Sequence, residues 1–125
     1  MLLFPIAERV YLLALALTVG ACRPAPPAAP PEQAVQRFFA AVTADDCPTA
    51  LSQLASGMRA RVAPDGRCEE LFGGVRRYPL ERVVETKVDG RNSDAQLVRA
   101  RLRGRTTDAI IRVQAEGRSW KIFAL

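Results

Sequence analysis

The fold is decided by residues 80–102, which read LERVVETKVDGRNSDAQLVRARL. Apolar and charged residues alternate on both sides of Asp89-Gly90-Arg91-Asn92, a tetrad typical of a hairpin turn. A period of two predicts β-strands, because successive side chains of a strand point to opposite faces of the sheet. The residues expected on the buried face are Leu80, Val84, Thr86 and Val88 in the first strand and Val98, Ala100 and Leu102 in the second.

Two further strands are predicted downstream, separated by a turn at Glu116-Gly117. Their apolar residues are Ile110, Ile111 and Val113 in the third strand and Trp120, Ile122 and Phe123 in the fourth. Short turns between consecutive strands predict an antiparallel meander of four strands.

Upstream of the strands, apolar residues recur at helical spacing. A first helix follows Pro31, and a second, continuous helix follows Asp46-Cys47-Pro48, where the aspartate can cap the amides and the proline suits the first turn. A short third helix is expected to fail at Gly73-Gly74. The apolar residues are Val35, Phe38, Phe39 and Val42 in the first helix, Leu51, Leu54, Ala55, Met58 and Val62 in the second, and Cys68, Leu71, Phe72 and Val75 in the third. This order predicts the α+β class, with N-terminal helices packed on one face of a mostly antiparallel four-stranded sheet.

The N-terminus has the pattern of an export signal. Residues 10–20 form a weakly polar to apolar run preceded by Arg9, and the run is shorter than the roughly 20 residues that span a bilayer. The end of this run, residues 17–22 (LTVGAC), resembles the bacterial lipobox. That resemblance implies cleavage between Ala21 and Cys22, acylation of Cys22 with chains such as palmitate, and a stable membrane anchor. An ordinary signal-peptidase cut after Ala21 is the alternative.

The predicted organisation is therefore a signal peptide over residues 1–21, a lipidated cysteine and linker over 22–31, and an α+β domain over 32–125. Five of the nine residues from Arg23 to Pro31 are prolines, which lack an amide proton. This composition predicts an extended tether that holds the domain on the order of 25 Å from the headgroups.

The cysteine count agrees with a lipidated Cys22. Of the three cysteines, Cys47 and Cys68 then remain as a pair, which an exported protein is expected to join as a structural disulfide. A redox couple or a metal site is the alternative, but the chain has neither CxxC spacing nor histidine, and we predict no metal.

Residues 32–125 resemble the nuclear transport factor two-like superfamily, a cone-shaped α+β fold. The resemblance depends on the opening helix with Val35, Phe38 and Phe39, on the pair of cysteines, and on the closing hairpin at residues 117–122. The superfamily includes dehydratases, isomerases and non-catalytic modules, so the fold alone does not select a function.

Catalytic candidates are few, because the chain contains no histidine. Tyr78 is the only tyrosine that would remain after cleavage, and capping and solvation account for Asp45, Asp46, Glu69 and Glu70. The sequence contains no phosphate-binding loop and no serine elbow, and we predict no catalytic residue and no cofactor.

Two features are candidate binding sites. Arg99, Arg101, Arg103 and Arg105 would form a basic stripe along one strand face, suited to lipid phosphates or an acidic partner. Neutralisation by Glu81, Glu85 or Asp108 on neighbouring strands is the alternative interpretation of the stripe. Trp120 with Phe123, and Phe38 with Phe39, would line an apolar pocket or simply pack in the core.

Composition and leader together predict the class of protein. Apolar residues make up 49% of the chain and charged residues 25%, which indicates a folded domain, and a net charge of +5 does not by itself imply nucleic acid. We expect a non-catalytic envelope lipoprotein that binds a partner protein or a small ligand; the alternative is an enzyme of the dehydratase or isomerase kind. In the proteobacterial lipoproteins that this leader resembles, an aspartate after the cysteine signals retention at the inner membrane. Arg23 follows Cys22 here, so the resemblance implies the outer membrane, facing the periplasm.

Overall fold

The computed structural model describes residues 27–90 and 94–125. The predicted signal peptide, Cys22 and the tether up to residue 26 lie outside the described residues, as do residues 91–93 of the first hairpin turn. Within the described ranges, no helix is both long enough and apolar enough to cross a membrane.

In residues 27–90 and 94–125, four helices precede four strands, and the predicted α+β class is confirmed. The helices are α1 (Glu32–Thr43), α2 (Cys47–Ser52), α3 (Ser56–Val62) and α4 (Glu69–Arg76), with a short 3₁₀ turn at Pro64–Gly66 between α3 and α4. The strands are β1 (Leu80–Val88), β2 (Ala95–Leu102), β3 (Ala109–Glu116) and β4 (Ser119–Ala124). They form one sheet in the order β1-β2-β3-β4, with every neighbouring pair antiparallel.

The core lies between α1 and one face of the sheet. Val35 and Phe38 of α1 are completely buried, as the helical spacing of its apolar residues predicts. From the sheet they meet the apolar side chains of three strands, namely Val98, Ile111, Val113 and Ile122. Val98 and Ile111 are cross-strand partners, so the hairpin register places both on the face that the helices cover.

The predicted second helix is wrong in one respect, because two short helices replace a continuous one. Asp46 caps α2 as expected, with its Oδ1 atom accepting from the Thr49 amide at 3.2 Å. The chain then leaves the helix at Gln53, where the backbone pairs with the edge of β4: the Ile122 amide donates to Gln53, and the Ala55 amide donates to Ile122. Backbone hydrogen bonds to β4 thus replace the hydrogen bonds that a continuous helix would make at this point. Leu54 is nevertheless buried in the core.

Two other local predictions need correction. Helix α4 continues through Gly73 and Gly74 to Arg76, because burial of Phe72 offsets the roughly 1 kcal/mol that each glycine costs a helix. In β1, Val83 rather than Val84 lies on the buried face, opposite Ala100, and Val88 at the end of the strand is exposed rather than buried. An irregularity between Val83 and Glu85 inserts one extra residue, which breaks the period of two.

Candidate functional site

A cavity of about 430 Å³ opens at one end of the domain, between the helices and the covered face of the sheet. Helices α1, α3 and α4 and the ends of two strands all contribute to its wall. The apolar wall is formed by Phe39, Val62, Leu71, Val75, Leu102 and Ile111.

Four exposed polar residues border this cavity: Arg61, Glu70, Tyr78 and Arg105. The Arg105 guanidinium carbon lies 5.8 Å from the centre of the Tyr78 ring, a cation–π contact. The turn at Gly104, which has a φ of 86°, leads into Arg105, and such a left-handed conformation favours glycine. The cavity therefore combines an apolar wall with cationic groups and a phenol at its border.

Neither bordering arginine has an acidic partner among the described residues. No carboxylate oxygen of residues 27–90 or 94–125 lies within 4.0 Å of a guanidinium nitrogen of Arg61 or Arg105. Their positive charges are consequently available to a bound anion.

The four aromatic residues considered for a pocket lie in different places. Phe39 lines the cavity, whereas Phe38 is fully buried in the core, with its ring 5.6 Å from that of Phe39 in edge-to-face contact. Trp120 donates its indole N–H to the carbonyl of Ala29 at 2.9 Å, and Phe123 packs under the guanidinium of Arg112. Neither Trp120 nor Phe123 is part of the cavity wall, and Trp120 packs against the core, as the alternative interpretation has it.

The candidate carboxylates have structural partners or lie in solvent. Asp45 pairs with Arg76 at 2.8 Å, and Glu69 and Glu70 occupy the first turn of α4, where negative charge complements the helix dipole. Two hydrogen bonds lower the pKa of Asp46: the larger effect comes from the Thr49 side chain and the smaller one from the Thr49 backbone amide. Of these carboxylates, only Glu70 borders the cavity.

The four-arginine stripe is divided by the end of its strand. β2 stops at Leu102, so only Arg99 and Arg101 lie on the open face of the sheet, while Arg103 follows in the turn and Arg105 borders the cavity. The two strand arginines contact the carboxylates named by the alternative interpretation. These contacts are Arg99 with Glu85 (3.3 Å) and Asp108 (3.7 Å), and Arg101 with Asp108 (3.3 Å) and Glu81 (4.0 Å).

The remaining cysteines form the expected pair. The sulfur atoms of Cys47 and Cys68 are 2.04 Å apart, so the bridge ties the start of α2 to the residue before α4. Among the described residues, no group of three or more histidine, cysteine, aspartate or glutamate side chains could hold a metal ion.

Sequence reasoning did not bring Arg61 and Arg105 together. The two residues are far apart in the chain, and no periodic pattern links a helix end to a strand turn.

Comparison of the chain with protein-family models, with curated proteins and with solved structures finds no match. The site therefore has to be interpreted from its own geometry.

Proposed function

We propose that this chain is an exported, lipid-anchored envelope protein whose folded domain binds a small ligand in the cavity and does not catalyse a reaction. The cavity is the observation that carries the proposal: at about 430 Å³, it falls within the range of roughly 300–1,000 Å³ typical of small-molecule sites. An apolar wall with a few polar groups at one border is also the usual construction of such sites.

The ligand that suits this cavity has an apolar body and an anionic group. Phe39, Leu71 and Val75 would cover the body, since apolar surface gains free energy when it leaves water. Arg61 and Arg105 would hold the anion, because guanidinium groups pair well with carboxylates and phosphates. Glu70 stands at the same border and would repel a second negative charge, which favours a ligand with a single anionic head.

Binding is favoured over catalysis by the position of the polar groups. A dehydratase or isomerase needs an acid or base beside the reacting atoms, held in a water-poor cavity. The candidates for this task at the cavity are Tyr78 and Glu70, and both are exposed at its border. Their exposure to water therefore supports binding over proton transfer at this cavity.

The proposed location depends on the leader and the cysteines. The lipobox resemblance at residues 17–22 supports acylation of Cys22, and a disulfide suits an oxidising compartment such as the periplasm. Arg23 after Cys22 supports the outer membrane, with the domain facing the periplasm. The resemblance to the nuclear transport factor two-like superfamily is compatible with this proposal, because that superfamily includes non-catalytic modules as well as enzymes.

Two neighbouring glycines provide a matched test of the cavity. Gly74 lines it and Gly73 does not, although both lie in α4 and a Cβ added at either meets no atom within 4 Å. We expect Gly74→Leu to fill the cavity and abolish binding of laurate, measured by calorimetry, and Gly73→Leu to leave it intact. Equal laurate binding by both variants would contradict the proposed site.

The anionic head is tested separately with a neutral analogue. We expect Arg61→Gln and Arg105→Gln each to weaken laurate binding by roughly 10- to 100-fold, since a hydrogen bond to a charged group contributes about 1.5–3 kcal/mol. Binding of dodecanol should stay unchanged in both variants. An equal loss for laurate and dodecanol would show that the arginines do not recognise charge.

A further inference from the structure

The end of the tether is held against the domain at a defined place. The Trp120 indole donates to the carbonyl of Ala29, and the carbonyls of Pro30 and Pro31 accept from the first amides of α1. Ala29 lies only seven residues after Cys22, and an extended chain spans at most about 3.6 Å per residue. If Cys22 carries lipid, the Trp120 end of the domain therefore stays within roughly 25 Å of the bilayer.

Three cations surround the place where the tether leaves the domain. Arg37, Arg118 and Lys121 border the same shallow cleft as Ala29 and Pro30. Within the part of the chain that the structure describes, none of the three lies within 4.0 Å of a carboxylate, and the Lys121 ammonium is held by the carbonyl of Ser52. We call these three residues the tether-end cluster.

The cavity lies at the opposite end of β4. This strand starts at Ser119 beside the tether and ends at Ala124, and the next residue, Leu125, lines the cavity. At about 3.3 Å per residue, the strand separates the two ends by roughly 20 Å. A domain that rests on its tether end would thus present the cavity away from the lipid.

We propose that the tether-end cluster lies on anionic lipid headgroups, so that the anchored domain stands with its cavity open to the periplasm. This proposal rests on the lipid anchor proposed above. Cations within a Debye length of about 10 Å of an anionic surface are attracted to it. A seven-residue tether that lies along the membrane, instead of standing out from it, lets the cluster come that close. The ligand would then reach the cavity from the aqueous side and not from the bilayer beneath the domain.

Trp120 is the single tryptophan of the chain and lies in this end, so it reports the orientation without a label. The lipidated full chain is placed in vesicles of phosphatidylcholine, with or without an equal part of phosphatidylglycerol, that carry dansyl headgroups. We expect energy transfer from Trp120 to be stronger with phosphatidylglycerol. The triple variant Arg37→Gln, Arg118→Gln, Lys121→Gln should remove that increase.

A matched variant, Arg77→Gln, Arg82→Gln, Arg103→Gln, removes as many charges near the other end of the sheet and should keep the increase. In a chain that also carries Cys22→Ser, the three tether-end substitutions should lower partitioning onto phosphatidylglycerol vesicles on the order of 100-fold relative to Cys22→Ser alone, at about fivefold per cation. Equal behaviour of the two triple variants overturns the orientation.

The anchor is judged independently by flotation in high salt, which screens the cluster and leaves acyl chains bound. A chain that floats in high salt but shows no effect of phosphatidylglycerol on energy transfer retains the anchor and contradicts the orientation. A chain that fails to float contradicts the anchor, and the partitioning of the Cys22→Ser chain still decides whether the cluster binds anionic lipid.

Discussion

Replacing Phe38 with alanine is expected to lower the free energy of unfolding by about 4 kcal/mol, within the range measured for large aromatic residues in protein cores. Phe38 is fully buried, and its ring packs against Phe39 and the covered face of the sheet. Small domains have only about 5–15 kcal/mol of stability, so this variant should lose a large part of it. Urea unfolding followed by circular dichroism measures the change.

Phe123 is the matched control for this substitution. It is only partly buried and lies under Arg112, outside the main core. We expect Phe123→Ala to cost clearly less than Phe38→Ala, since a partly exposed ring leaves less buried surface behind. Equal losses at the two positions would contradict the placement of the core between α1 and the sheet.

Removing the disulfide is expected to cost about 3 kcal/mol, because the bridge closes a loop across a sequence separation of 21 residues and restricts the unfolded chain. For a domain of this size, 1 kcal/mol corresponds to roughly 4–8 °C, so the double variant Cys47→Ser, Cys68→Ser should melt about 15 °C lower. Calorimetric melting of the native and double-variant proteins tests this value.

The control is Cys22→Ser, which leaves the bridge intact and should melt like the native domain. Reducing the native protein with dithiothreitol should reproduce the lower melting temperature of the double variant. An unchanged melting temperature after both treatments would show that the Cys47–Cys68 bridge does not support the fold.

Periodicity predicted the parts of the fold that depend on local alternation. α1, the four strands and their antiparallel order follow from apolar spacing and turn residues, because each is stabilised by burying one regular face. Errors arose where long-range pairing overrides the local pattern. The break at Gln53 depends on hydrogen bonds to Ile122 of β4, a residue that lies much later in the chain.

The candidate site was harder to predict, because it is assembled from distant elements. Phe39 was considered both for a pocket and for core packing, and no spacing signal joins Arg61 at the end of a helix to Arg105 beyond β2. The arginine alternation in residues 99–105 was visible in the sequence, whereas the strand's end at Leu102 was not. That end moves Arg105 from the predicted stripe to the cavity.

The mass of the mature protein, extracted from its own envelope in detergent, tests the proposed function most directly. We predict that the denatured protein has the mass of a chain beginning at Cys22 plus acyl chains, and that the native protein carries an additional small molecule that dissociates on activation. The acyl mass should disappear in Cys22→Ser, and the dissociable mass should disappear in Gly74→Leu and remain in Gly73→Leu. An unmodified chain with no retained molecule would contradict both the anchor and the ligand.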